Sequence, residues 1–208
     1  MGTRSSDERR QAHTIRAARP AEAGELAVLM NMAGEGIPAY LWSRMAGPGE
    51  DAMAFGTRRV ARAEGGFSYT NAHVIVVSGA VAGMLVGYRQ PDPYDLDDME
   101  NIPEIVRPLI ELESLAPGSW YVNGIAVKTE HRGRNLARRL MYRAEELARQ
   151  TGASSLSLIV AGENTGAKAL YESLGYGVVA RRPVLPYPNA PHGGDWLLMT
   201  KAVEPFVP

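Results

Sequence analysis

The chain has 208 residues, 45% hydrophobic and 22% charged, with a formal net charge of −1. That length suits one domain with a sizeable core, and the balanced charge gives no reason to expect nucleic acid as a partner. There is no cysteine, which excludes disulfides, thiolate metal sites and a cysteine nucleophile. No apolar run approaches the roughly 20 residues that span a bilayer, so no membrane partner is expected.

The first eleven residues, MGTRSSDERRQ, are polar and lack a hydrophobic signal core. They read as a flexible tail, which leaves 12–208 as a single domain with a cytoplasmic address as the default. Residues 13–18 alternate apolar and polar positions, as an edge strand does. Pro20 then opens a helix whose apolar face is Leu26, Val28, Leu29 and Met30, closed by Gly34 and Gly36. Pro38 opens a second helix carrying Tyr40, Leu41, Trp42 and Met45, ending near Gly47-Pro48-Gly49. A third helical stretch runs from Glu50 to about Ala63.

Strand patterns then dominate. Residues 72–78 and 81–88 are two strands joined by Gly79-Ala80 in a hairpin. Residues 90–118 form an insertion rich in acid and proline, with an amphipathic helix over 105–115. A strand over 119–128 leads into a helix that ends near Gly152. Residues 155–160 make a strand, 165–174 a helix, 176–181 a strand, 183–191 a proline-punctuated loop and 195–202 a last strand. From residue 72 the order β-β-β-α-β-α-β-β predicts the α/β (α+β) class. It implies a mixed, mostly antiparallel central sheet flanked by helices, with extra helices at the amino end.

The chemistry concentrates in V-K-T-E-H-R-G-R-N-L-A-R-R-L-M, residues 127–141. Arg132, Arg134, Arg138 and Arg139 cluster at the amino end of the helix, where the macrodipole is already positive and acids are the usual choice. Free backbone amides, a glycine and several arginines make an anion cradle. The rival reading is a solvated basic helix face. Neither a Walker A loop nor a Rossmann fingerprint is present.

Arg132 to Ala137 resembles the acetyl-CoA motif of the GNAT family of N-acetyltransferases, Q/R-x-x-G-x-G/A, with Asn135 in place of the central glycine. Asn tolerates left-handed backbone better than other side chains. Residues 164–176, N-T-G-A-K-A-L-Y-E-S-L-G-Y, resemble the same family's N-x-x-A-x-x-x-Y-x-x-x-G-[FY]. The resemblance implies a GNAT fold and acetyl-CoA as cosubstrate. Backbone amides of Arg132, Gly133, Arg134, Asn135, Leu136 and Ala137 would meet its pyrophosphate. Ile125, Ala126 and Val127 would offer backbone groups to its pantetheine arm, in a splayed gap beside residues 155–160. Asn164 caps the next helix, and Tyr171 is implied as the acid that protonates the leaving thiolate, although its spacing fits a core tyrosine equally well.

The implied activity is acetyl transfer to a primary amine by direct attack, with no metal and with homodimers common among similar proteins. Some family members carry a catalytic glutamate on the strand before the cofactor loop, but this strand has none. Asn123 stands in that neighbourhood and can orient a water. Glu113 and Glu111, then Glu35, are the candidate bases. The acid-rich insertion reads either as a solvated loop or as an attractant for a cationic acceptor. Trp42, Tyr40 and Met45 read as core or as a wall of the acceptor pocket, with Tyr187 and His192 lining its other side. The alternative function is a non-catalytic module that binds or senses acyl-CoA.

Overall fold

The computed structural model describes residues 13–203; the tail expected over 1–11 lies outside them. The elements are β1 (His13–Ala17), α1 (Ala23–Ala33), α2 (Ile37–Met45), α3 (Ala52–Val60), β2 (Ala72–Val77), β3 (Ala80–Arg89), α4 (Arg107–Glu113) and β4 (Trp120–Val127). They continue with α5 (Leu136–Gln150), β5 (Ser155–Ala161), α6 (Thr165–Ser173), β6 (Gly177–Pro183) and β7 (Asp195–Ala202). One mixed sheet of seven strands runs β1-β2-β3-β4-β5-β7-β6. Every adjacent pair is antiparallel except β4–β5.

Local chemistry explains where elements begin and end. A short 3-10 turn over Pro20–Glu22 precedes α1, so the proline sits ahead of the helix proper. The side chain of Asp51 accepts from the Ala54 amide at 2.9 Å and fixes the start of α3. That helix stops at Val60, before a turn that contains Gly65 at φ 92°. The β2–β3 turn is centred on Ser78 (φ 51°) and Gly79 (φ 83°), one residue earlier than the sequence pattern suggests. Two consecutive positive φ values suit the twist of a two-residue hairpin, and Val77 pairs with Ala80 across it.

Two apolar layers cover the sheet. On one face α5 buries Leu136, Leu140, Met141, Ala144 and Ala148, a stripe at helical spacing. These residues pack with Tyr171 of α6 against Leu85, Val122, Leu156 and Leu158. On the other face Leu26, Leu29 and Met30 of α1, Trp42 of α2 and Val60 of α3 cover Val74, Met84 and Val86. A third cluster joins Ile37 at the start of α2, Leu112 of α4, Tyr187, and Trp196 and Leu198 of β7. This last cluster packs the acid-rich insertion together with the start of α2.

The contact between α2 and α3 depends on a missing side chain. A Cβ at Gly56 would lie 2.2 Å from the Trp42 ring, well inside van der Waals contact, and the indole is buried. Gly56→Ala gains helix propensity but forces the ring to move. It is expected to destabilise the fold by about 1–3 kcal/mol, read by urea denaturation.

Candidate active site

The sheet is forked. β4 and β5 pair only at Trp120↔Leu156, Tyr121↔Ser157 and Val122↔Leu158. At the closed end the Ser119 and Ser157 hydroxyls hydrogen-bond at 2.7 Å, both buried. Beyond Val122, β4 stays paired to β3 from Gly124↔Val86 to Val127↔Gly83. β5 stays paired to β7 as far as Ala161↔Trp196. The facing edges therefore separate, and β4 presents unpaired backbone from Asn123 to Val127 toward the gap. A β-strand edge with free N–H and C=O groups accepts an extended amide-bearing chain.

A bulge sits at the fork. Gly87 pairs with Val122 and Val86 with Gly124, which leaves Asn123 as the extra residue. The bulge turns Asn123 and Gly124 to the same face. Asn123 Nδ2 donates to the Tyr88 hydroxyl at 3.1 Å, and a Cβ at Gly124 would meet Ala33 of α1 at 3.2 Å. Alternation then resumes, with Ile125 packed toward α5 and α6 and Ala126 buried toward α1.

At the open end β4 leads through Thr129–His131 into the loop before α5. Gly133 stands at φ 73° and Asn135 at φ 59°. Asn135 thus adopts the left-handed conformation that a glycine in the motif would supply. The first turn of α5 holds no acid, and the amides of Leu136, Ala137 and Arg138 precede the first i−4 acceptor of the helix. A cavity of about 240 Å³ is lined here by Val127, Arg132, Gly133, Asn135, Ala137 and Arg138, among others. Among the described residues, chain neighbours aside, no atom lies within 4 Å of a Cβ placed on Gly133, which leaves room there for a ligand. Arg132 reaches the Val127 carbonyl at 3.4 Å. Arg134 lies 3.0 Å from His131 Nδ1, and Arg138 donates to Ser173 Oγ at 2.7 Å. The shape, the free amides and the exposed Arg132 and Arg134 fit a pyrophosphate.

Asn164 and Tyr171 stand on α6, beside the fork. Asn164 Oδ1 accepts from the Ala167 amide at 3.2 Å, capping the helix, and its Nδ2 donates to Glu35 Oε1 at 3.0 Å. Tyr171 is buried, with its ring 6.1 Å from that of Tyr176. Burial, and then the nearby charge of Glu35, push the Tyr171 hydroxyl above its ordinary pKa. It therefore keeps its proton at neutral pH.

The candidate bases separate clearly. Glu111 is held by Arg182, with Nε 2.6 Å from Oε2. Glu113 accepts from the Tyr94 hydroxyl at 2.9 Å and lies beside the Tyr121 side chain. Burial raises its carboxyl above the usual range, and the Tyr94 hydroxyl, first among its neighbours, partly opposes the rise. Tyr121 packs edge-on to Tyr88, with centroids 6.0 Å apart, and Tyr88 holds Asn123. Glu113 and Asn123 thus belong to one buried chain of tyrosines, which the sequence did not reveal. Its only sign was the period-two spacing of Tyr121 and Asn123. Glu35 stands at φ 54° between α1 and α2. Its carbonyl accepts from the Tyr187 hydroxyl at 3.0 Å, and its Oε1 lies 3.6 Å from His192 Nε2.

A family model described as the acetyltransferase (GNAT) family matches residues 24–176. The chain belongs to the GNAT acetyltransferase family. Among solved structures, an acetyltransferase shares 23% identity at a TM-score of 0.61, covering 92% of this chain and 100% of that one. The ribosomal-protein-S18-alanine N-acetyltransferase from Escherichia coli shares 17% at a TM-score of 0.57, covering 93% and 95%. The yncA protein of Salmonella typhimurium, solved with its cofactor acetyl-CoA, shares 19% at 0.57, covering 93% and 95%. These likenesses establish the GNAT fold. A search of curated proteins finds no match. Among the described residues no helix is long and apolar enough to cross a membrane, and no group of three or more His, Asp or Glu is placed to hold a metal ion.

Proposed function

We propose that this GNAT protein transfers the acetyl group of acetyl-CoA to a primary amine by direct attack, without a covalent enzyme intermediate. The observation that carries this reading is the fork: β4 loses its β5 partner after Val122 and runs, with its edge free, into the anion cradle before α5. The pyrophosphate of acetyl-CoA would lie on the amides from Arg132 to Ala137. Its amide-bearing arm would pair with the free edge at Ile125, Ala126 and Val127. The thioester would then reach the Asn123 bulge, near Tyr171.

In this reading Tyr171 gives its proton to the departing thiolate. Asn123 orients the reacting groups, and Glu113 fixes Asn123 indirectly through Tyr121 and Tyr88. Held through Oε2 by Arg182 of β6, Glu111 serves structure. The acid-rich insertion, packed through Leu112 in one cluster with the start of α2, draws cationic acceptors toward the fork.

The test is thiol release from acetyl-CoA over a panel of alkylamines, polyamines, amino acids and peptides, with acetylated product confirmed by mass. Amine-dependent release supports transfer. Saturable acetyl-CoA binding with no transfer to any amine favours a non-catalytic acyl-CoA sensor.

A further inference from the structure

Three carboxylates stand near the fork, and among the described residues only Glu35 keeps a buried oxygen with no hydrogen-bond partner. Glu111 is paired to Arg182. Glu113 Oε2 accepts from the Tyr94 hydroxyl. Glu35 uses Oε1 for Asn164, while its Oε2 is buried and meets no hydrogen-bond donor among the described residues. A buried carboxylate oxygen without a donor is costly unless a ligand supplies one. No lysine or arginine forms an ion pair with Glu35 among the described residues, and His192 at 3.6 Å is its only ionic neighbour.

The fold spends conformational strain to hold this carboxylate in place. A non-glycine residue in left-handed backbone costs about 1–2 kcal/mol, and Glu35 adopts φ 54°. Gly36 follows at φ 92°. The loop is pinned by the Tyr187 hydroxyl on the Glu35 carbonyl and by the Gly36 amide on the Asn31 carbonyl at 3.0 Å. The titratable groups facing Glu35 are Tyr171 from α6 and Tyr187 and His192 from the loop before β7. The charge of Glu35 acts on the Tyr171 and Tyr187 hydroxyls.

We propose that Glu35 Oε2 receives the ammonium of the acceptor and takes its first proton, so that the acceptor is an amine cationic at neutral pH. The proposal rests on the acetyl-transfer reading above and assigns its missing base. The ammonium donates to Oε2 and passes one proton to it, leaving a neutral amine. The nitrogen lone pair forms a bond to the thioester carbonyl carbon, and collapse breaks the carbon–sulfur bond. The departing thiolate takes the Tyr171 proton, and the nitrogen gives up its second proton to restore the tyrosine. One proton remains on Glu35 and leaves to solvent, so the products are amide, thiol and that proton.

Two probes separate this role from a structural one. n-Butylamine is an ammonium at pH 7, whereas 2,2,2-trifluoroethylamine is already neutral and needs no base. At saturating acetyl-CoA, Glu35→Gln is expected to lower kcat/KM for butylamine about 100-fold at pH 7. That gap should close as pH rises toward the pKa of the amine, about 10. The same variant should act on trifluoroethylamine within about threefold of the parent, the span allowed for modest perturbation by a one-group change.

Loss of less than threefold on butylamine, or equal loss on both probes at every pH, overturns the proposal. If the parent acetylates neither probe, the transfer reading is what fails. The ammonium site is then judged by NMR line broadening of butylammonium titrated into the CoA-bound protein. Broadening that Glu35→Gln abolishes upholds the site, and none in the parent overturns it. Should Glu35→Gln lower the thermal midpoint, Glu35→Asn, better suited to left-handed backbone, carries the same comparisons.

Discussion

Tyr171→Phe is expected to lower turnover by about 100-fold or more, the usual contribution of a positioned general acid, while acetyl-CoA affinity stays within a factor of two. The substitution removes one oxygen and leaves the ring packed among Leu140, Leu158 and Tyr176. Burial and the charge of Glu35 both hold the phenol protonated. It is therefore able to donate at neutral pH, and in the proposed reaction it would do so only once a thiolate appears. Because the effect belongs to the transition state, kcat should fall and KM for the cosubstrate should not. Steady-state kinetics with calorimetry on the same preparation checks both. Unchanged turnover would reduce Tyr171 to a core residue.

Replacing Arg132 and Arg134 together by Ala is expected to weaken acetyl-CoA binding roughly 10- to 100-fold. Charge-assisted hydrogen bonds contribute about 1.5–3 kcal/mol each in sheltered sites, but both side chains are exposed and water and salt screen them. The free helix-end amides remain in the variant, so binding is weakened and not abolished. The difference between parent and variant should shrink as salt is raised. Arg139→Ala is the control, since Arg139 carries the same charge in the first turn of α5 but, unlike Arg132, does not line the cavity. Calorimetric titration at two salt concentrations decides the matter. Equal affinities for parent and double variant would mean that the arginines are only a solvated helix face.

The parts of this picture that were legible in the sequence are the parts governed by local chemistry. The α5 stripe is visible as period and the cradle as basic residues where acids belong. Asn135 was the departure from the motif, and its tolerance of left-handed backbone was the stated reason to expect the loop to survive; it stands at φ 59°. A glycine inside a strand, as at Gly124, is compatible with a bulge, but which residue bulges is not legible, because that depends on register against Gly87 and Val86. The ranking of bases was not legible either. Glu35, Glu111 and Glu113 look alike as letters. What separates them is long-range: Arg182 lies 71 residues from Glu111, and Asn164 lies 129 residues from Glu35. Tyr88 was likewise invisible, since only the β3–β4 pairing brings it to Asn123. No local pattern encodes which donors a fold delivers to a carboxylate, so the motif residues of the candidate site were readable and the surroundings of its carboxylates were not.

The central claim is that the fork and the cradle together hold a coenzyme A thioester. Thermal unfolding of the full chain with and without acetyl-CoA tests it most directly, because a ligand that binds only the folded state stabilises it by mass action, about 2.7 kcal/mol at 100 times Kd. The account predicts a midpoint that rises with acetyl-CoA concentration, with a smaller rise at each concentration in the Arg132/Arg134 double variant. No shift for the parent protein at millimolar acetyl-CoA or CoA would contradict it.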